Sequence, residues 1–179
     1  MSSIYLIGSL RNPRIPEIAK ELRNAGHEVF DDWHSVGPEC DEKWQEYEKN
    51  RGRSYKEAIE GYHAKDVFDF DKRHLDRCDT GVLVLPAGKS AHLELGYIIG
   101  RGKTGYVLFD AEPERFDIMY QFADGIFFSV EELIQSFAPK QAYEIENWYT
   151  PEQIAEIAKV YNSPEEKMYK SVDCKMVDF

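Results

Sequence analysis

The chain has few cysteines: three in 179 residues, Cys40, Cys78 and Cys174. They are odd in number, far apart and never in CxxC spacing. That excludes a disulfide framework and a zinc knuckle, and it points to reduced thiols in a cytoplasmic protein. No apolar run approaches the roughly 20 residues of a membrane span, so no membrane partner is expected. No charged-then-apolar signal segment opens the chain, which enters a strand by Ile4. Positive charge is scarce too, with 22 Lys and Arg against 33 Asp and Glu, a net charge of −11. A protein that binds nucleic acid polymers needs a basic stripe, and this balance argues against such a partner. A small nucleotide in a locally basic pocket stays compatible with it. The five histidines, His27, His34, His63, His74 and His92, show no ligand spacing. Hence no metal and no other cofactor is expected.

What is present reads as one α/β domain. Ile4-Tyr5-Leu6-Ile7 is a short apolar strand ended by Gly8-Ser9. Residues 14–25 carry Ile15, Ile18, Ala19 and Leu22 at helical spacing, with Gly26 as a stop. Residues 28–31 read as a second strand, which completes a βαβ unit. Residues 32–62 hold Trp33, Trp44, Tyr47, Tyr55 and Tyr62 among many charges and read as an insertion over the sheet edge. It is mostly helical from 41 to 60, with a break at Gly52.

A helix over 64–77 precedes the clearest buried strand, 80–85, and a helix over 90–100 follows it. Further strands are expected at 105–109 and 126–128, and helices at 114–123 and 129–137, the latter opened by a Ser129/Glu132 capping box. This order predicts a doubly wound, flavodoxin- or Rossmann-like parallel sheet of five strands, with a helical insertion and a C-terminal helical tail. The domain is placed at 1–138, with 139–179 as its extension.

Ligands of such sheets bind outside the carboxyl ends of the strands. After the first strand, Gly8-Ser9-Leu10-Arg11-Asn12 supplies a glycine, a hydroxyl and a guanidinium in a loop leading to a helix. Those are the parts of a phosphate cradle, although neither GxGxxG nor a P-loop is present. A plain turn with a surface Arg is the alternative.

After the third strand come Pro86-Ala-Gly-Lys89-Ser90-Ala-His-Leu-Glu94-Leu-Gly96. Ser90 can cap the helix, but a capping box needs Glu or Gln at the place of Leu93. Glu94 is thus free of that duty, and the helix dipole is expected to favour its ionised form. It is a candidate nucleophile, or else a solvated helical glutamate. Gly96 and Gly100 permit a neighbouring backbone to approach closely. Asp71 can face the ligand edge if its helix runs past the strand ends; Asp79 sits at the opposite edge. A receiver domain shares this topology, but it needs acids where Gly8-Ser9 and Pro86-Ala87 stand.

Taken together, Ile4-Tyr5-Leu6-Ile7-Gly8-Ser9, Asp71 eight residues before Asp79, and Ser-Ala-His-Leu-Glu94-Leu-Gly96 resemble the nucleoside 2-deoxyribosyltransferase family over roughly residues 3–137. That family includes a branch of deoxynucleoside 5′-monophosphate N-glycosidases. The resemblance implies that Glu94 attacks the anomeric carbon of a nucleoside or nucleotide to form a glycosyl-enzyme ester. Tyr5 would hold the Glu94 carboxylate by a hydrogen bond, and Asp71 would help protonate the leaving base. Gly8, Ser9, Arg11, Lys89 and Ser90 would bind substrate or its phosphate. Gly88 departs from the acidic residue of the transferases and from the serine of the monophosphate branch. The resemblance also implies a homodimer or larger homo-oligomer with shared sites, to which Met119 or Asp117 of a neighbour would contribute.

The expected activity is therefore N-glycosidic cleavage of a nucleoside or its 5′-monophosphate, by hydrolysis or base exchange. Cleavage of NAD or a related signalling nucleotide, with Trp33, Trp44 and Tyr55 stacking a second base, is one alternative. A nucleotide-binding module without turnover is another.

Overall fold

The structure, a computed structural model, describes residues 1–109, 112–113 and 117–138. Five strands form one parallel sheet: β1 (Ser3–Ile7), β2 (Glu28–Phe30), β3 (Thr80–Val84), β4 (Thr104–Leu108) and β5 (Gly125–Phe127), in the order β2-β1-β3-β4-β5. All four pairings are parallel. This is the doubly wound order expected from the sequence. The winding reverses between β1 and β3, so the crevice for a ligand opens where the loops after those two strands diverge.

The helices are α1 (Ile15–Asn24), α2 (Cys40–Asn50), α3 (Tyr55–Ile59), α4 (Tyr62–Arg77), α5 (Lys89–Gly100) and α6 (Val130–Ser136). Strand alternation sorts the core into two layers. Ile4, Leu6, Val82 and Val84 face one side, packed with Ile15, Ile18 and Leu22 of α1 and Leu133 of α6. Tyr5, Ile7 and Leu83 face the other, packed with Leu75 of α4 and Leu95 and Ile98 of α5. This alternation decides that the phenol of Tyr5 points toward the helices carrying Asp71 and Glu94.

Two close approaches hold α5 and β1 in place. A Cβ on Gly105 would lie 2.5 Å from Cγ1 of Ile99, so α5 rests directly on β4. A Cβ on Gly8 would lie 2.7 Å from Cδ1 of Ile15, so any larger residue there would push that side chain of α1 aside. At the opposite edge of the sheet, the Lys103 ammonium donates to the carbonyls of Leu75, Asp76 and Cys78 at 2.7, 2.7 and 2.6 Å and closes the end of α4.

Several local expectations are corrected. Of the helix expected over 114–123, the described residues 118–122 form a short 3-10 turn, begun by the Asp117 carboxylate accepting from the Met119 N–H at 2.9 Å, while 114–116 lie outside the described residues. Ile118, Met119 and Phe122 there are exposed, so no apolar face anchors a full helix. At α6 the Ser129 hydroxyl accepts from the Glu132 N–H, but Glu132 reaches back to the N–H of Phe128 and not of Ser129, so the capping box is half made. The insertion does break at Gly52, whose φ is +70°, and Ser54 and Glu57 form a complete capping box that starts α3. Cys40 and Cys78 are free thiols. Among the described residues no helix is long and apolar enough to cross a membrane. The expected tail, 139–179, and Cys174 lie outside the described residues.

Candidate active site

Tyr5, Asp71 and Glu94 come together from three elements. Tyr5 stands on β1 with 1% of its surface exposed. Its hydroxyl donates to the Asp71 carboxylate on α4. Glu94, on α5, is half-buried and within electrostatic reach of both. The phenol thus interacts with both acids, with Asp71 as its hydrogen-bond partner and with Glu94 through charge. The phenol itself is pushed well above its usual range, by burial first and then by the two carboxylates.

The ionisation of the two acids differs from the sequence expectation. Burial, and then the Asp71 charge, push the Glu94 carboxyl up to about 7. The helix dipole acts within the first turn, and Glu94 is the sixth residue of α5, too far in for the dipole to offset that loss of water. Burial also raises Asp71, while the hydrogen bond from Tyr5 works in the opposite direction. The Asp71 charge thus adds to burial in holding the proton on Glu94.

An aromatic layer backs this group. Phe30 lies 5.1 Å from the Tyr5 ring and stacks on His74 at 3.7 Å. Phe70 lies 4.7 Å from His74. Phe70 and His74 flank Asp71 on α4, and burial, followed by the charge of Arg77, lowers the His74 pKa. Sequence reading missed this layer; the three- and four-residue spacing around Asp71 was its only local signal.

The loop after β1 is internally braced. Ser9 O accepts from the Asn12 N–H at 2.9 Å, and Ser9 Oγ accepts from the Arg11 N–H at 3.2 Å. Buried Asn12 accepts from the Arg14 N–H, and its carbonyl receives the His34 ring at 3.0 Å. Among the described residues the Ser9 hydroxyl acts here only as an acceptor. The Arg11 guanidinium is paired with Glu42 in the first turn of α2. At the end of β3, α5 begins two residues earlier than a Ser90 cap would set it. Gly88 is the N-cap, no side chain caps the helix, and Ser90 lies exposed inside it. Lys89 is exposed in that first turn. With Ala87, Gly88, His92 and Leu93 it lines an open depression of about 600 Å³.

Two further expected positions, Trp33 and Met119, have surroundings of their own. Trp33 is half-buried against both core layers, and its indole N–H donates to the Leu6 carbonyl at 2.7 Å, which pins it beneath β1. Met119 lines a separate groove of about 410 Å³ with Asp117, Tyr120 and the His92–Gly96 side of α5. Among the described residues, Gly96 and Gly100 have no atom within 4 Å of a notional Cβ, so no described backbone packs closely on them.

No protein-family model matches the sequence, and no curated protein does. Solved structures do match. The 2-deoxyribosyltransferase of the psychrotolerant bacterium Bacillus psychrosaccharolyticus is 18% identical and superposes with a TM-score of 0.54, over 74% of this chain and 90% of that one. The chain has the fold of a 2-deoxyribosyltransferase. The CMP N-glycosidase of Clostridium botulinum is 16% identical, with a TM-score of 0.46, over 75% of this chain and 96% of that one. In the deoxyribosyltransferase-like fold of this chain, the acidic pair and the braced loop flank the reversal point between β1 and β3.

Proposed function

We propose that the protein cleaves the N-glycosidic bond of a nucleoside or its 5′-monophosphate through a glycosyl-enzyme intermediate on Glu94. The observation that carries this is the grouping of Glu94 and Asp71, both short of water, with the buried Tyr5 phenol. The deoxyribosyltransferase-like fold supports the same reading.

Bond breaking at an anomeric carbon develops oxocarbenium character, which a nearby carboxylate stabilises, while the leaving base needs a proton. A pair of carboxyls holding one proton between them meets both needs. That proton passes to the departing base from Asp71. The Glu94 carboxylate, then ionised, forms the ester bond to the anomeric carbon as the carbon–nitrogen bond breaks. Water or a second base attacks the same carbon and releases Glu94, and two inversions give net retention. Tyr5 acts through Asp71, whose orientation and proton affinity its hydroxyl sets.

The pH dependence follows. Activity falls as the shared proton leaves, above about 7 for Glu94. It also falls when both carboxyls are protonated. The exposed Ile118, Met119 and Phe122 in one short segment support a self-associating chain, which light scattering on the intact protein would test.

The test is incubation with a panel of nucleosides and 5′-monophosphates, with and without a second free base, followed by chromatography. A new nucleoside identifies transfer, and free sugar or sugar phosphate identifies hydrolysis. Glu94→Ala should release no base; full activity of that variant overturns the mechanism. Tight nucleotide binding with no base release at high protein concentration would favour a binding module instead.

A further inference from the structure

The insertion supplies the partner of the Arg11 guanidinium in the loop after β1. Arg11 follows the strand that carries Tyr5, and its backbone is tied down by Ser9. Its side chain is paired with Glu42, 31 residues away in sequence. Glu42 sits in the first turn of α2, where the helix dipole favours its ionised form. A carboxylate on a guanidinium makes the same charge-assisted contact that a phosphate oxygen would make. Lys89, across the crevice, has no ion-pair partner among the described residues.

The helix that brings Glu42 is lightly held. Glu48 is its only buried residue, and Glu48 pairs within the insertion, with Arg53 at 3.2 Å. Among the described residues, no strand or other helix packs extensively against α2. The indole N–H of Trp44, on the same helix, is out of water with no acceptor among the described residues. Both members of the Arg11–Glu42 pair are more than half exposed, at 56% and 58%, so water screens the contact and a better anion can displace it.

We propose that Glu42 is a specificity determinant of this site: it occupies the Arg11 guanidinium in place of a substrate 5′-phosphate and biases the protein toward unphosphorylated nucleosides. Discrimination arises here by competition, since a monophosphate must first expel Glu42 and then bind beside its displaced charge. The inference rests on the N-glycosidase reading and deepens it.

The experiment compares wild type, Glu42→Gln, Arg11→Ala and the double variant on matched nucleosides and 5′-monophosphates. Glu42→Gln should raise the monophosphate-to-nucleoside ratio of kcat/KM by ~3- to 10-fold, the scale of an exposed charge interaction with a dianion. The same change should have no effect on that ratio in the Arg11→Ala background. An unchanged ratio, or an equal rise in both backgrounds, overturns the proposal. Should no variant release base from any substrate, the glycosidase reading fails, and equilibrium binding of the same compounds decides the gate separately. Tighter monophosphate binding by Glu42→Gln alone then upholds it, and equal affinities overturn it.

Discussion

Replacing Glu94 by glutamine removes a group whose proton the folded chain holds far more tightly than the unfolded chain does. Its carboxyl is raised from 4.5 to about 7, by burial and then by Asp71. Below the lower value both states keep the proton and nothing is lost. Between the two values the unfolded chain has released it and the folded chain has not, so stability declines as pH rises toward 7 and then levels off. At about 1.4 kcal/mol for each tenfold difference in proton affinity, the whole penalty is ~3 kcal/mol. About 2 kcal/mol of it falls between roughly pH 5 and pH 8, allowing for partial ionisation at the acid end and for coupling to Asp71.

Glutamine keeps the shape and carries no charge, so it escapes this term. Urea unfolding of both proteins at those two pH values isolates it, because the other carboxylates titrate in both. Glu94→Gln should gain ~2 kcal/mol over wild type from the acid to the alkaline condition while releasing no base. Parallel pH dependence, within ~0.5 kcal/mol, would refute the claim that Glu94 is held short of water.

Asp71→Asn should lower kcat by about 10²- to 10⁴-fold, the usual worth of a positioned acid, with KM far less affected; steady-state kinetics decide. Tyr5→Phe removes the hydrogen bond that holds the Asp71 pKa down, so the alkaline limb of the pH–rate profile should move to higher pH. A profile identical to wild type would show that the phenol does not act through Asp71. Gly105→Ala drives a methyl into Ile99 and should cost ~1–3 kcal/mol in unfolding free energy. Because α5 must shift to accept it, base release should fall as well, and retained full activity would show that Glu94 tolerates the movement.

Much of the site was legible because parallel sheets concentrate chemistry in a few loops. The apolar runs of β1 and β3 and the order of elements placed Glu94 and the Gly8–Arg11 loop at one edge without any coordinates. Three features were not legible. The ionisation of Glu94 depends on burial, which spacing on a helix does not report. The start of α5 at Lys89 depends on how the chain leaves β3, and it moved Ser90 from cap to helix interior. The pairing of Arg11 with Glu42 spans a whole insertion and obeys no spacing rule. Gly96 and Gly100 show the reverse error, since small residues on a helix signal close packing or an open face equally well until the neighbours are known.

The ammonium of Lys103 fastens the end of α4 from the amino edge of the sheet, six residues beyond Asp71, or about 9 Å along the helix at 1.5 Å per residue. The proposed substrate site, by contrast, lies at the carboxyl edge. The placement of the acid and the lining of the crevice are therefore anchored at opposite ends of the molecule. An engineer can redraw the loops after β1 and β3 to admit another base while leaving that fastening intact. A change at Lys103 would misplace the acid for every substrate alike.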